Sequence, residues 1–251
     1  KLKKKYENFS AVLLSGAMAI LYFITYAAYS FYDLIPQMPA FALMVVFTAF
    51  TVVAALNYNR QVIAHIGLVG AYAVPFLLSD GSGKVAVLFT YMAIINTGIL
   101  MIAFKKYWKP LYYSAFTLTW LIYLLWYAFQ YLTNQHFGLA LTFLTIFFAL
   151  FYVTALAYKL VKKEKFAFPD IVLLLINSFI FFGIGYTLLN DHETTNQLLG
   201  LFTLLNAIVH FMVSAVIYRQ KLADRNLFYL VSGLVLTFIT IAIPVQLNGN
   251  W

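Results

Sequence analysis

Nine almost unbroken apolar stretches, at 10 to 31, 38 to 57, 61 to 78, 85 to 104, 110 to 131, 137 to 158, 168 to 189, 196 to 217 and 227 to 247, are separated by short polar loops. This repetition constrains the fold more than any motif does. A helix rising about 1.5 Å per residue needs about 17 to 25 residues to cross a hydrocarbon core about 30 Å thick, and each stretch has that length. Backbone amides in hydrocarbon must pair within their own segment, and the stretches lack the strict alternation of a barrel, so helices are expected. With 64% hydrophobic residues, 10% charged residues and a mean hydropathy of +0.87, the chain of 251 residues carries more apolar surface than a soluble core of that size buries. The sequence predicts an all-α, polytopic transmembrane helical bundle of nine spans, one membrane domain over residues 1–251.

Charge then orients the bundle. If the nine spans alternate, the N-terminal KLKKK, Arg60, the KKYWK of 105 to 109, the KLVKKEK of 159 to 165 and the RQKLADR of 219 to 225 share one side. Of the 16 Lys and Arg residues only Lys84 falls opposite. The positive-inside rule makes the basic side cytoplasmic, with the N-terminus inside and Trp251 outside. Asp33, Asp80, Asp191 and Glu193 then occupy outer loops. The net charge of +8 is divided among five juxtamembrane loops, so anionic membrane lipid rather than nucleic acid is the expected counter-charge. The absence of cysteine excludes disulfides, thiolate chemistry and Cys-based metal sites. The first apolar run is long enough to span and lacks a small-residue cleavage site, which argues against a signal peptide. A start at Lys1 rather than Met suggests a processed product or a piece of a longer protein.

A three-helix direct repeat is expected, with units at 10–78 and 168–247 and residues 85–158 between them. Val12-Leu13-Leu14 and Tyr26 recur as Val172-Leu173-Leu174 and Tyr186. Tyr58 and Arg60 are matched by Tyr218 and Arg219, and Ala73-Val74-Pro75 by Ala242-Ile243-Pro244. Six helices separate the two starts, so the copies run the same way across the membrane. Each proline removes one amide and frees the carbonyl four residues earlier, at Ala71 and Thr240, where water, the Tyr72 or Thr240 hydroxyl, or a neighbouring helix can satisfy it. Asp80-Gly81 and Asn248-Gly249 follow as helix-ending steps. Pro75 and Pro244 thus read as helix breaks near the outer face, either simple terminations or an outer gate.

No Asp, Glu, Lys or Arg lies in the middle third of any span, which disfavours a carboxylate relay or a paired-carboxylate hydrolase. Thr203, Asn206, His210 and Ser214 are spaced by three, four and four residues and so share one face of the eighth helix. That face must look into protein, either for hydrogen bonds between helices or to line a polar cavity in which His210 binds a hydroxyl or moves a proton. Asn96, Asn177 and His65 have the same two readings. No metal site is expected, because the histidines lack a third ligand, and no cofactor is implied. Gly67 with Ala71, and Ser15 with Ala19, read as packing positions. Gly183 and Gly185 read as packing positions or a joint. Pro169 and Asp170 read as an N-terminal cap of the seventh helix, and Tyr and Trp near the span ends as an interfacial belt.

The run LLSGAMAILYFITYAAYSFY, the segment PAFALMVVFTAFTVVAALNYNRQVIAHIGLVGAYAVPFLLSDGSG and the closing AIPVQLNGNW resemble the bacterial multi-pass proteins grouped as domain of unknown function 2339. The resemblance covers most of the chain, most closely residues 10 to 131 and 227 to 251. It implies a bacterial inner-membrane setting within a longer chain, and it brings no catalytic residues. Three functions remain open. The leading one is transport or handling of lipid or envelope precursors through a polar, aromatic cavity. The second is a non-catalytic scaffold assembling with other envelope membrane proteins. The third is a membrane transferase on lipid-linked glycans with His210 or His65 as base, disfavoured because no acid/base constellation accompanies them.

Overall fold

In the computed structural model, residues 7–77, 85–106, 108–162, 164, 166–192, 195–219 and 225–246 are described. Among the described residues the apolar stretches form helices: α1 (Glu7–Ser30), α2 (Gln37–Tyr58), α3 (Gln61–Leu77), α4 (Val85–Lys105), α5 (Lys109–Gln130), α6 (Thr133–Lys162), α7 (Phe168–Asn190), α8 (Leu199–Arg219) and α9 (Arg225–Gln246), with a 3-10 turn at Asn196–Leu198. No strand occurs among the described residues. α6 extends beyond the expected 137 to 158 at both ends, because polar residues flanking a span continue its hydrogen-bond ladder into the interface.

Among the described residues, seven helices are long and apolar enough to cross a membrane, α3 and α5 being the exceptions. α3 is described over 17 residues, and α5 carries four Tyr and two Trp residues, whose polar atoms lower its hydropathy without shortening it.

The chain divides into two compact units, Lys1–Leu124 and Leu125–Trp251, with the boundary inside α5. In the first, α1, α2 and α3 pack mutually, and α4 joins α2 and α3. α2 ends at Asn59 in the left-handed conformation (φ 53°, ψ 40°) that Asn tolerates better than most residues, and Arg60 N–H returns to Ala55 O at 3.1 Å. This closes a tight corner from which α3 runs back along α2. Gly67 permits the close approach, since a Cβ there would collide with the Thr51 side chain. Beyond the end of α4, the Lys106 ammonium donates to Asn59 Oδ1, so α3 and α4 together return the chain to the level of the α2–α3 corner. Tyr123, late in α5, stacks on Phe89, early in α4, at 5.3 Å, so α5 runs antiparallel to α4.

In the second unit, α6 is the most enclosed span, with 56% of its apolar window buried, and α9 the least, with 17%. Phe148 of α6 stacks on Phe181 of α7 at 4.2 Å, and α8 and α9 pack against each other. The expected cap is present at α7, where the Asp170 carboxylate accepts the Ala167 N–H at 3.0 Å. Gly185 faces the Phe202 ring with no room for a Cβ and is a packing position, whereas nothing lies within 4 Å of a Cβ at Gly183.

Both prolines stand inside helical turns: α3 is helical to Leu77 and α9 to Gln246, within the expected stretches 61 to 78 and 227 to 247, because proline disturbs the turn before it more than the one after. Of the candidate partners for the freed carbonyls, the two hydroxyls are engaged elsewhere: Tyr72 with Asn96 and Thr119, Thr240 with Leu236 O at 2.6 Å. The Asp80-Gly81 and Asn248-Gly249 steps and the Pro75 side chain lie outside the described residues.

Candidate functional site

In the first unit three buried polar side chains, Tyr72, Asn96 and Thr119, close into a ring. Tyr72 on α3 donates to Asn96 Oδ1 at 2.8 Å, and Asn96 Nδ2 donates to Thr119 Oγ1 at 3.0 Å. The Thr119 hydroxyl is then left to donate to the Tyr72 oxygen, 2.5 Å away. Each group gives one hydrogen and takes one, and a cycle of that kind strengthens itself in a low dielectric. A second cluster forms where Thr48 donates to Met44 O at 2.9 Å and so accepts from Tyr22 at 2.7 Å and Tyr91 at 3.3 Å.

Tyr22 also forms one wall of a groove of about 810 Å³ between α1 and α3. Ala19, Tyr22, Phe23 and Tyr26 line it from one face of α1, and Val62, Ile66 and Gly70 from α3. Its polar lining residues are Gln61 and His65 in the first turns of α3, beside Tyr22 and Tyr26 of α1. The volume falls in the range of ligand sites, about 300 to 1,000 Å³. A Cβ at Gly70 would come within 3.0 Å of the Tyr22 ring, so glycine sets the groove's width there. Half-buried His65 donates through Nδ1 to Gln61 O at 3.1 Å. Arg60 adjoins Gln61 in sequence, and the Lys106 ammonium reaches Asn59, so two cations gather at the corner where α3 begins.

In the second unit the α8 stripe is buried throughout: Thr203 and His210 are fully covered, Asn206 is 2% exposed and Ser214 8%. Thr203 donates to Leu199 O at 2.8 Å, and Ser214 pairs with Ser232 of α9 at 3.0 Å. Asn206 Nδ2 donates to Phe202 O at 2.9 Å. His210 Nδ1 lies 2.7 Å from the Tyr152 hydroxyl of α6, and its ring stacks on Phe238 of α9 at 5.3 Å and 11°. Asn177 donates to Phe148 O at 3.0 Å. Two polar atoms of the stripe, Asn206 Oδ1 and His210 Nε2, are buried with no partner among the described residues.

His65 thus lines the groove, Asn96 belongs to a closed ring, and Asn177 and the α8 stripe lie in the other unit. Sequence reasoning did not single out Tyr22, Phe23 and Tyr26 as lining residues, nor Tyr152 as the partner of His210. Their signal was the spacing 19, 22, 23, 26 on α1, which a lipid-facing stripe shares.

The family described as "Predicted membrane protein (DUF2339)" matches residues 1–251. The chain belongs to that family. No curated protein and no solved structure matches it. Membership agrees with the several membrane-length helices of this DUF2339 chain, and the family description names no activity.

Proposed function

We propose that this DUF2339 protein handles lipid in the bacterial inner membrane, binding the apolar chains of an acidic phospholipid in the α1–α3 groove. The observation that carries this reading is the groove itself: about 810 Å³, lined mainly by apolar and aromatic side chains, with Gln61 and His65 where α3 begins. Arg60 and Lys106 gather at the same corner, which supplies charge complementarity for a phosphate. The positive-inside rule puts that corner at the cytoplasmic face, with the N-terminus inside and the C-terminus outside. Nine spans are favoured over seven by the Lys106–Asn59 and Tyr123–Phe89 contacts, which support α3 and α5 as full crossings. In this reading α1–α3 and α7–α9 are direct repeats, and Pro75 and Pro244 mark their outer ends.

The test is lipid retention. Native mass spectrometry of the chain released from mild detergent is expected to show bound phospholipid for the wild type and its loss in Ala19→Trp combined with Ile66→Trp, which fills the groove. Arg60→Gln with Lys106→Gln should abolish any preference for acidic over zwitterionic lipid. Equal retention by the wild type and the filled variant would defeat the proposal.

The scaffold reading draws on a different observation. Tyr229, Leu236 and Ile243 recur at seven-residue spacing on α9 and are 60%, 67% and 53% exposed, an apolar seam on the least enclosed span. Co-purification of another envelope membrane protein, lost on Leu236→Ser, would favour it.

A further inference from the structure

The open pair on α8 defines a ligand more sharply than its burial alone suggests, and it belongs to a different unit from the groove. Asn206 is fixed by its own backbone: Nδ2 faces the Phe202 carbonyl at 2.9 Å, so Oδ1 is the atom left over, an acceptor without a donor. His210 is fixed by Tyr152. A buried tyrosine hydroxyl must place its hydrogen on an acceptor, and among the described residues the one within reach of Tyr152 is His210 Nδ1, at 2.7 Å. Nδ1 therefore accepts. A neutral imidazole with an accepting Nδ1 carries its hydrogen on Nε2, and Nε2 is the ring atom that has no partner.

One turn of α8 thus presents a bare acceptor and a bare donor on the same face, at positions whose Cβ atoms are about 5 to 6 Å apart. Phe238 stacks on the imidazole and Phe148 stands edge-on to it at 6.5 Å, so neighbouring rings restrict how it can turn. Leaving both atoms unpaired is costly in an apolar interior. A second carbonyl would satisfy the histidine alone, and an ammonium the asparagine alone. The group that satisfies both accepts one hydrogen bond and donates another.

We propose that Asn206 and His210 form a binding site for one hydroxyl group, which accepts from His210 Nε2–H and donates to Asn206 Oδ1. Two sources share that chemistry: an internal water and the alcohol of a polyol-bearing lipid or solute. Tyr152 is the positioning residue, setting the tautomer that makes Nε2 a donor.

Proton-detected nitrogen-15 NMR of the histidine-labelled full chain in bilayers tests this, the His210 signal being assigned by its absence in His210→Phe. The expected spectrum has a neutral ring protonated at Nε2, whose proton correlates with an exchangeable proton belonging to no protein group. A correlation at the water frequency, abolished by drying the bilayers, identifies an internal water. One that survives drying and connects to carbon-bound protons identifies an alcohol. Asn206→Leu should remove the correlation in either case, while Tyr152→Phe should shift the tautomer population toward Nδ1–H. A ring protonated at Nδ1 in the wild type, or an Nε2–H with no exchangeable neighbour, would overturn the proposal. Both of those readings come from the wild type, the His210→Phe variant serving only to identify the signal.

Discussion

Asn96 and Asn206 are the same residue type with the same 2% exposure, yet one sits in a closed ring and the other keeps an open carbonyl. The difference lies in what the neighbouring helices offer at that height. Replacing Asn96 with Leu opens the ring but leaves Tyr72 the Thr119 oxygen as an acceptor, so it is expected to cost about 0.5 to 1.5 kcal/mol, the net worth of a lost hydrogen bond. Thr119→Val should cost more, about 1 to 3 kcal/mol, because it leaves the buried Asn96 amide N–H without its acceptor while Tyr72 still donates to Asn96. Melting temperatures in detergent, ranked wild type above Asn96→Leu above Thr119→Val, are the check; a neutral Thr119→Val would mean that the ring contributes nothing to stability. That Asn96, Asn177, Asn206 and His210 face protein was legible from their apolar surroundings. Which of them pair was not, because partners on other helices lie 23 to 58 residues away and depend on axial register between helices.

Between helices, glycine marks where the fold is tight. A Cβ at Gly67 meets the side chain of Thr51, which is itself buried and tied to Phe47 O at 2.7 Å and so cannot easily yield. Gly67→Ala should therefore destabilise by about 1 to 3 kcal/mol, the usual cost of overpacking. Thr51→Ser removes the methyl group nearest the new Cβ and should recover most of that loss in the double variant. Additive losses in the cycle would show that the two positions do not meet. Gly183→Ala is the contrasting case. It enters open space and replaces the residue with the poorer helix propensity, so a neutral effect or a gain of up to about 1 kcal/mol is expected. The sequence marked Gly67 as a packing position from its spacing with Ala71, but it did not separate Gly185, which packs on Phe202, from Gly183. Two residues apart on a helix, they face in different directions, and only the position of α8 gives one of them a neighbour.

For the whole chain, topology is the property most open to test, because the sequence contains no cysteine. Single cysteines at Asp33 and Asp191 should react with a membrane-impermeant maleimide in intact cells. Those at Lys106 and Glu164 should react only after permeabilisation. Lys106 decides the span count: if α3 did not cross, position 106 would label from outside, whereas the Lys106–Asn59 contact puts both corners at one end of the first unit. The sequence by itself determined that this chain is a bundle of membrane-length helices, because the bilayer imposes a length and an apolarity that each segment must meet locally. Its charged loops also supplied an orientation to test. Tertiary structure alone decided where space remains and which polar atoms go unpaired: a groove between α1 and α3, a closed ring at Asn96, and an open donor and acceptor on α8. Those features arise from the lateral register of helices against one another, and apolar faces that meet lipid, a groove or another helix are written with the same residues.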